Sequence, residues 1–551
     1  MNPAFFSEPD AYLLTGPQLM GRHSAGNGFL RAAIQGRGAE PVTGYVLFKE
    51  SADAFLAFVA EVDPKAKAEI IAAPRLDLVA RQGLLYRPDA NIGPLARQRL
   101  RQGSAAYSLC GVTHTLATGG TLDVLAKYLI EPVMAWDAVV CTSSVAAAVV
   151  TDVLDEAAAF YRWRMGDARK PERPMTPVIP LGVHCADFDF TDADRQAART
   201  KLGLRPQTVA VLSAGRLSIS AKANPYILLK MLQKTAEDTG RDLALVMAGQ
   251  AFNADTAEAF RSACRTLCPG VRAIFVDGKD PGGYREAWAA ADVFVSLADS
   301  IQETFGLTPL EAMASGLPAL VSDWNGYKDT VRDGIDGFRV PTWTPPPGVG
   351  RALAVEYEVG GIYEEYLYRA NSAVAVDAGQ LAARLRELVT DEGLRRRMGA
   401  AGRTRVRESF DWAVVYRQYQ ALWAEQDAVR RRAAADPKTQ AWLAQAPATS
   451  VDHKGPFDRF ASFPTQHVGP ATVVALTAAA MTPDAYREII QHQLVNRGHV
   501  ASLVFDQVYA ALQSGPATVE TLMAATGFTA VQMTEIAARL AKLDVVALSA
   551  G

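Results

Sequence analysis

From residue 1 to about residue 205, short apolar runs alternate with stretches whose apolar positions recur every three or four residues. The runs at 11–15, 44–48, 108–113, 138–141 and 177–180 predict buried strands, and 29–35, 122–129 and 145–161 predict helices. Alternation of this kind predicts a parallel sheet with helices on both faces. A polar stretch, 191–205, reads as a connector. A second alternating unit follows with sharper punctuation. Strands are expected at 209–214, 243–248, 271–276, 292–297 and 319–322, and helices at 225–239, 254–268, 283–290, from Pro309, at 379–389 and at 391–405. Two doubly wound halves of about 200 residues imply a cleft between them, with ligands at the carboxyl ends of the strands.

Beyond Trp423 the pattern changes. Residues 427–470 are rich in Ala, Arg and Pro and read as a helix followed by a linker. From 471 onward the pattern is helical: Thr482-Pro483 form an N-cap and N1 pair, helices are expected at 504–512, 519–525 and 530–543, and a short strand at 545–548. Two readings of this end fit equally, a winged-helix-like module and a plain helical appendage.

Composition narrows the class. The chain has 551 residues, three to four times the ~150 of a typical domain. Its 56 Lys and Arg against 59 Asp and Glu leave a net charge of −3, which argues against a dedicated nucleic-acid binder. Cys110, Cys141, Cys185, Cys264 and Cys268 are an odd, scattered set that reads as buried small side chains. Acidic residues stand where a signal peptide would carry Lys or Arg, and no run reaches the ~18 apolar residues of a membrane span. A cytoplasmic chain is expected, with surface association with a membrane left open.

The densest chemistry lies in Ser300-Ile-Gln-Glu303-Thr-Phe-Gly306-Leu-Thr308-Pro309-Leu-Glu311-Ala-Met-Ala-Ser-Gly316, between two expected strands. Thr308 as N-cap, Pro309 at N1 and Glu311 at N3 predict a capping box, and Gly316 a C-terminal stop. Residues 303–307 then form a loop entering a helix N-terminus at the carboxyl edge of the sheet, a place that favours phosphate. Carboxylates there have a purpose if they accept hydrogen bonds from hydroxyls, Glu303 from a sugar and Glu311 from a ribose. The alternatives are a helix cap for Glu311 and a solvated loop charge for Glu303. A second constellation, Val211-Leu-Ser-Ala-Gly215-Arg216-Leu217 with Lys222 six residues after Arg216, places two cations behind a strand end, where they suit a diphosphate.

The Glu303-x7-Glu311 spacing within ETFGLTPLEAMASGLP, with Gly215-Arg216-Leu217, Lys222, Ile179-Pro180-Leu-Gly-Val183, Gly249 and Asp333-Gly-Ile-Asp-Gly-Phe338, resembles the retaining glycosyltransferases of family 4. The resemblance covers about residues 10–426 and is most specific over 300–341. It implies an α/β chain of the GT-B fold: two Rossmann-like doubly wound domains facing a cleft, 1–205 on the acceptor side, completed by a helix at 411–426, and 206–410 binding a nucleotide sugar. The region after Asp427, read as a helix and linker (427–470) and a mainly α interaction domain (471–551), has no counterpart in that family pattern. The resemblance further implies transfer of a sugar from a nucleotide-diphosphate sugar to a hydroxyl of a glycan, lipid or protein acceptor.

Carried over by position, Glu311 would bind the ribose, Arg216 and Lys222 the diphosphate, and Thr304, Phe305, Gly306 and Leu307 phosphate and sugar through their backbone. Gly215 and Gly249 would line the donor site, Glu303 would contact the donor sugar, and His114 would face it from the first half. Gly26, Asn27 and Gly28 fall in a glycine-rich turn, 21–28, on the acceptor or sugar side. No Asp-x-Asp metal motif stands in a convincing loop, so no metal and no cofactor beyond the donor are expected, with Arg216 and Lys222 in a cation's place. Two departures stand out. The step from Arg216 to Lys222 is one residue longer than the family's, which could displace Lys222 from the phosphates. Segment 344–369, with Tyr357, Tyr363, Tyr366 and Tyr368, is longer than the usual connection; its tyrosines line an acceptor path or pack helix against sheet, the second reading being preferred.

Two rival functions compete with this one. One is a regulator or scaffold whose winged-helix-like end binds a protein or DNA. From 452 to 551 six Lys and Arg face eight Asp and Glu, and Arg539 and Lys542 lie at the wrong end of the candidate recognition helix, 530–543, for base contacts. A protein partner, a second copy or acceptor capture therefore suits this end better than nucleic acid. The other is a different GT-B-like enzyme, a phosphorylase or sugar-nucleotide epimerase, which the Glu303-to-Glu311 spacing disfavours.

Overall fold

Continuous apolar runs make strands that are buried on both faces, and the chain builds two parallel sheets from them. A computed structural model describes residues 2–14, 21–166 and 171–550. The first sheet holds β1 (Ala4–Phe6), β2 (Val42–Val46), β3 (Ala68–Ala72), β4 (Leu84–Tyr86), β5 (Ser108–Val112) and β6 (Ala138–Val140), in the order β3-β2-β1-β4-β5-β6. The second holds β7 (Val209–Ala214), β8 (Leu243–Gly249), β9 (Arg272–Asp277), β10 (Val293–Ser296), β11 (Ala319–Ser322) and β12 (Gly337–Val340), in the order β12-β11-β10-β7-β8-β9. Every pairing in both is parallel. Each sheet therefore reverses its winding once, between β1 and β4 and between β7 and β10, and such switch points are where doubly wound sheets open a crevice.

Several expectations need correction. The first strand is Ala4–Phe6 rather than 11–15: a proline in the first turn starts a short helix, Pro9–Tyr12, and Thr15 lies outside the described residues. Residues 177–180 run beside β6 without becoming a strand, with the Cys141 N–H donating to Pro177 O at 2.9 Å. The glycine-rich turn at 21–28 is instead the opening of a helix, Gly21–Gly36. Its glycines serve close packing. A Cβ on Gly26 would stand 2.0 Å from Ala11 O, and one on Gly28 would stand 2.3 Å from Trp412 Nε1. The Asn27 amide donates to Tyr12 O at 2.9 Å, so its side chain caps the preceding short helix.

The polar connector also folds, as the helix Asp192–Lys201 with a Thr191–Asp194 capping box. Near the end of the two-sheet region the helix Trp412–Ala435 returns to the first sheet. Trp412, Tyr416, Tyr419 and Trp423 join Phe5, Phe29 and Tyr86 in one buried cluster. The Gln426 amide anchors the helix further along, donating to Leu109 O and Trp136 O at 2.8 and 3.0 Å.

Contacts divide the chain into residues 1–450 and 451–551. Within the second unit, Val473–Leu476 is a strand where a helical pattern was expected. It pairs antiparallel with Ala517–Thr518 and Val546–Ser549. The helices Ser502–Leu512, Val519–Thr526 and Ala530–Lys542 cover this ribbon around Phe505, Val519, Met533 and Val546. These three helices and the three-stranded antiparallel ribbon share one buried core. No helix of the described residues is long and apolar enough to cross a membrane.

Candidate functional site

The second sheet's switch point lies between β7 and β10, so the segments that leave those strands face each other. Gly215–Lys222 follows β7 and 297–307 follows β10, which brings the two constellations of the sequence together. The Lys222 ammonium pairs with Glu303 Oε2, both side chains mostly buried. The extra residue between Arg216 and Lys222 is absorbed in a tight turn, where the Lys222 and Ala223 N–H groups both donate to Ser218 O, at 3.1 and 3.2 Å. Lys222 therefore stays at the cleft. Arg216, Gly215, Lys222, Thr308 and Tyr327 line one cavity. A neighbouring cavity is bounded by Gly249, Gln250, Arg261, Phe275 and Lys279, with the Arg261 guanidinium 5.4 Å from the Phe275 ring centroid.

The expected capping box is absent. The helix Thr308–Ala314 takes Leu307 as its N-cap, without a side-chain cap, so Thr308 and Pro309 sit one position further in. Gly316, at φ +78°, ends it as expected. Glu311 turns inward rather than capping. Burial pushes its carboxyl up to about 7, against the lowering effects of nearby Lys222 and of Tyr284, which shares a hydrogen bond with it. Glu311 Oε2 is buried and has no hydrogen-bond partner, and the same holds for Arg216 Nε. A buried acceptor and a buried donor, each unpaired, are costly unless a ligand completes them.

His114 approaches from the first lobe. Its Nε2 lies 2.7 Å from Pro88 O, so Nε2 carries the proton and Nδ1 is left as an acceptor. Desolvation lowers its pKa, which favours this neutral form. The two lobes meet beside it: Thr304 Oγ1 donates to His114 O at 2.8 Å, Ser143 Oγ donates to Thr304 O at 2.7 Å, and Ser144 Oγ donates to Asp329 Oδ1 at 2.7 Å. Thr304, Phe305, Gly306 and Leu307 thus lie where His114, Lys222 and the motif helix converge. Gly26, Asn27 and Gly28 are spent on packing and capping, as described above. Tyr284, Ser143 and Asp329 were not anticipated; only tertiary proximity reveals them. Among the described residues no group of three or more His, Cys, Asp or Glu is gathered to hold a metal.

The long connection forms two helices, Arg351–Glu358 and Tyr363–Asn371. Two of its tyrosines pack helix against helix rather than helix against sheet. Tyr357 stacks on Tyr366, with centroids 4.6 Å apart and planes at 17°, joining the helices to each other.

The position of Glu311 sets a pH dependence. If an ionised Glu311 accepts from ligand hydroxyls, protonation below its pKa of about 7 competes with binding. Affinity for a ligand whose hydroxyls it accepts from, and which does not itself titrate in this range, is expected to fall roughly tenfold from about pH 8 to about pH 6. Glu311→Gln should bind more weakly and lose this slope. Calorimetric titration across the range checks it.

Residues 194–345 match a family model described as glycosyl transferases group 1. A D-inositol 3-phosphate glycosyltransferase from Nocardia farcinica is 30% identical over 171 residues, 31% of this chain and 37% of the relative. One from Rhodococcus jostii is 27% identical over 288 residues, 49% of this chain and 60% of the relative. The chain thus spans between about a third and three fifths of the length of these relatives. Anabaena HepE in complex with UDP and glucose overlaps 77% of this chain and all of its own, with a TM-score of 0.51 at 14% identity. That likeness and the two parallel six-stranded sheets show the GT-B fold, and residues 194–345 are similar to the group 1 glycosyl transferases.

Proposed function

We propose that the chain transfers a sugar from a nucleotide-diphosphate sugar to an acceptor hydroxyl. The observation that carries this is the pair of unsatisfied buried groups at one switch point, Arg216 Nε and Glu311 Oε2, with Lys222 acting on both carboxylates. The Arg216 donor suits a phosphate oxygen and the Glu311 acceptor suits a ribose hydroxyl. Glu303, held by Lys222, lies where a donor sugar would meet it, with Gly215, Gly249 and the 304–307 backbone around the nucleotide and sugar. The group 1 match covers this same segment.

In this reading the bond between the anomeric carbon and the β-phosphate oxygen breaks while the acceptor oxygen bonds to that carbon from the same face. The acceptor proton passes to the departing phosphate, so configuration is retained. Arg216 and Lys222 stabilise the charge that grows on the diphosphate, where preorganised donors act most strongly. They bring the positive charge a divalent ion would otherwise supply, so turnover is expected without one. Neutral His114 offers Nδ1 to a sugar hydroxyl. The acceptor is a glycan, a lipid-linked sugar or a protein hydroxyl. The implied setting is the cytoplasm, at a membrane surface where the acceptor is lipid-linked, with residues 451–551 serving a protein partner or a second copy.

A thermal-shift panel of UDP-, GDP- and ADP-sugars tests the donor class, since a ligand at ~100 times its Kd adds about 2.7 kcal/mol. One base family should raise Tm clearly above the others. No shift with any of the three would sink the proposal.

A further inference from the structure

The turn that carries Lys222 is shaped from within but positioned from outside. Its internal bonds, to Ser218 O and from the Ala221 N–H to Ser218 Oγ at 3.1 Å, fix its curvature only. Its place beside the Glu303 loop comes from contacts across the gap. Ser300 Oγ donates to Ser220 O at 3.0 Å, the Asp299 N–H donates to Lys222 O at 3.3 Å, and the Asn224 N–H donates to Asp299 Oδ2 at 3.2 Å. Asn371 completes the set. Its Nδ2 donates to the same Ser220 O at 2.5 Å, and its Oδ1 accepts from the Ile301 N–H at 3.3 Å.

Asn371 is 5% exposed and is the last residue of the inserted helix Tyr363–Asn371. A planar amide that donates on one side and accepts on the other holds two backbone segments at a fixed separation. The other helix of the insert reaches the first lobe: a Cβ on Gly119 would stand 3.8 Å from Tyr357 Cε1. One hairpin therefore touches the first lobe and both loops of the cation site.

We propose that Asn371 is a positioning residue that sets the Lys222 turn against the Glu303 loop, so that the inserted hairpin fixes where the cation meets the leaving diphosphate. The second half of this statement rests on the glycosyl-transfer reading; the first half does not. Misplacing a charged group by about an ångström is enough to cost a large part of its effect on a reacting centre.

The test uses the full chain with Asn371→Ala, Asn371→Asp, Ser300→Ala and the Asn371→Ala/Ser300→Ala double variant. Amide hydrogen exchange, measured without ligand, should speed up about tenfold over 218–224 in Asn371→Ala while β7 and β8 are unchanged. Affinities for UDP, GDP and ADP are then compared with those for the matching monophosphates. Asn371→Ala should lose about tenfold for the diphosphate that the parent binds and little for its monophosphate. Asn371→Asp, which keeps the acceptor for Ile301 but sets a buried carboxylate oxygen against Ser220 O, should lose at least as much. Ser300→Ala should shift the same way by less. The double variant should depart from additivity, because both side chains hold one carbonyl.

Unchanged exchange over 218–224 overturns the proposal, as does a loss that falls equally on mono- and diphosphate. If Asn371→Ala does not fold, Asn371→Asp and Ser300→Ala carry the same comparisons. If the parent binds no diphosphate, the glycosyl-transfer reading fails while the exchange result still decides the positioning.

Discussion

Alanine at Arg216 or at Glu303 is expected to lower turnover at least ~100-fold with the fold intact, the scale on which loss of one key electrostatic group acts. For Arg216 the reason is a donor that the protein itself does not use: Nε is buried with no partner, beside the cavity it lines with Lys222. In the proposed reaction its removal would leave Lys222 alone against the departing diphosphate. For Glu303 the reason is indirect as well as direct. Its carboxylate pairs with the Lys222 ammonium, so alanine there would both remove the carboxylate proposed to meet the donor sugar and release the cation from its set position. Because charge develops mainly in the transition state, kcat should fall more than KM rises. Arg216→Lys, which keeps the charge but loses the planar fork, should recover only part of the loss. Steady-state kinetics with the donor identified by thermal shift, alongside circular dichroism, measure this. Near-normal turnover in both alanine variants would remove the electrostatic core of the proposed function.

These residues could be chosen from sequence because the second lobe is written plainly. A strand buried on both faces needs an unbroken apolar run, and 209–214 and 319–322 coincide with β7 and β11. The first lobe is less legible for identifiable reasons. β1 is only three residues long, so the longer apolar run at 11–15 outweighs it. The glycines at 26 and 28 look like turn residues because a turn is the local use of glycine. Gly26 in fact makes room for Ala11 O and Gly28 for Trp412, the latter a partner almost four hundred positions away. The helix Asp192–Lys201 did carry a local sign, a Thr191–Asp194 capping box, but its polar surface masked it. At the candidate site the residue types and spacing were readable, while their orientation was not. A one-residue shift of the helix start turns Glu311 from a cap into a buried carboxyl facing Tyr284. Asn371 gave no signal at all, because its role exists only through contacts with Ser220 and Ile301.

The second large effect is expected from a single methyl group, Gly249→Ala. Gly249 ends β8, and a Cβ there would stand 1.7 Å from Gly215 O. The obstacle is backbone rather than a side chain that can swing away. It belongs to a segment held on both sides: the Gly215 N–H donates to Ala248 O at 2.9 Å and the Leu217 N–H to Gln250 O at 2.8 Å. The Gly278 N–H donates in turn to Gly249 O at 3.2 Å, so the ends of β7, β8 and β9 converge on this point. Relief requires the Gly215–Leu217 segment to move off β8, taking Arg216 with it and opening the boundary between the two cavities that meet at Leu217. Overpacking of this kind costs about 1–3 kcal/mol of stability, which chemical denaturation should register as a lower midpoint. The larger consequence is functional: nucleoside diphosphate affinity should drop at least ~100-fold, as expected when a charge-assisted contact and its framework are lost together. Gly278→Ala is the control, since its added Cβ would sit 3.0 Å from Gly249 Cα, a much smaller intrusion at the same junction. It should cost less on both measurements. Gly249→Ala with parental diphosphate affinity would mean that Arg216 reaches its ligand without the β7–β8 junction holding it. In that case the close approach of Gly249 to Gly215 serves the sheet rather than the site.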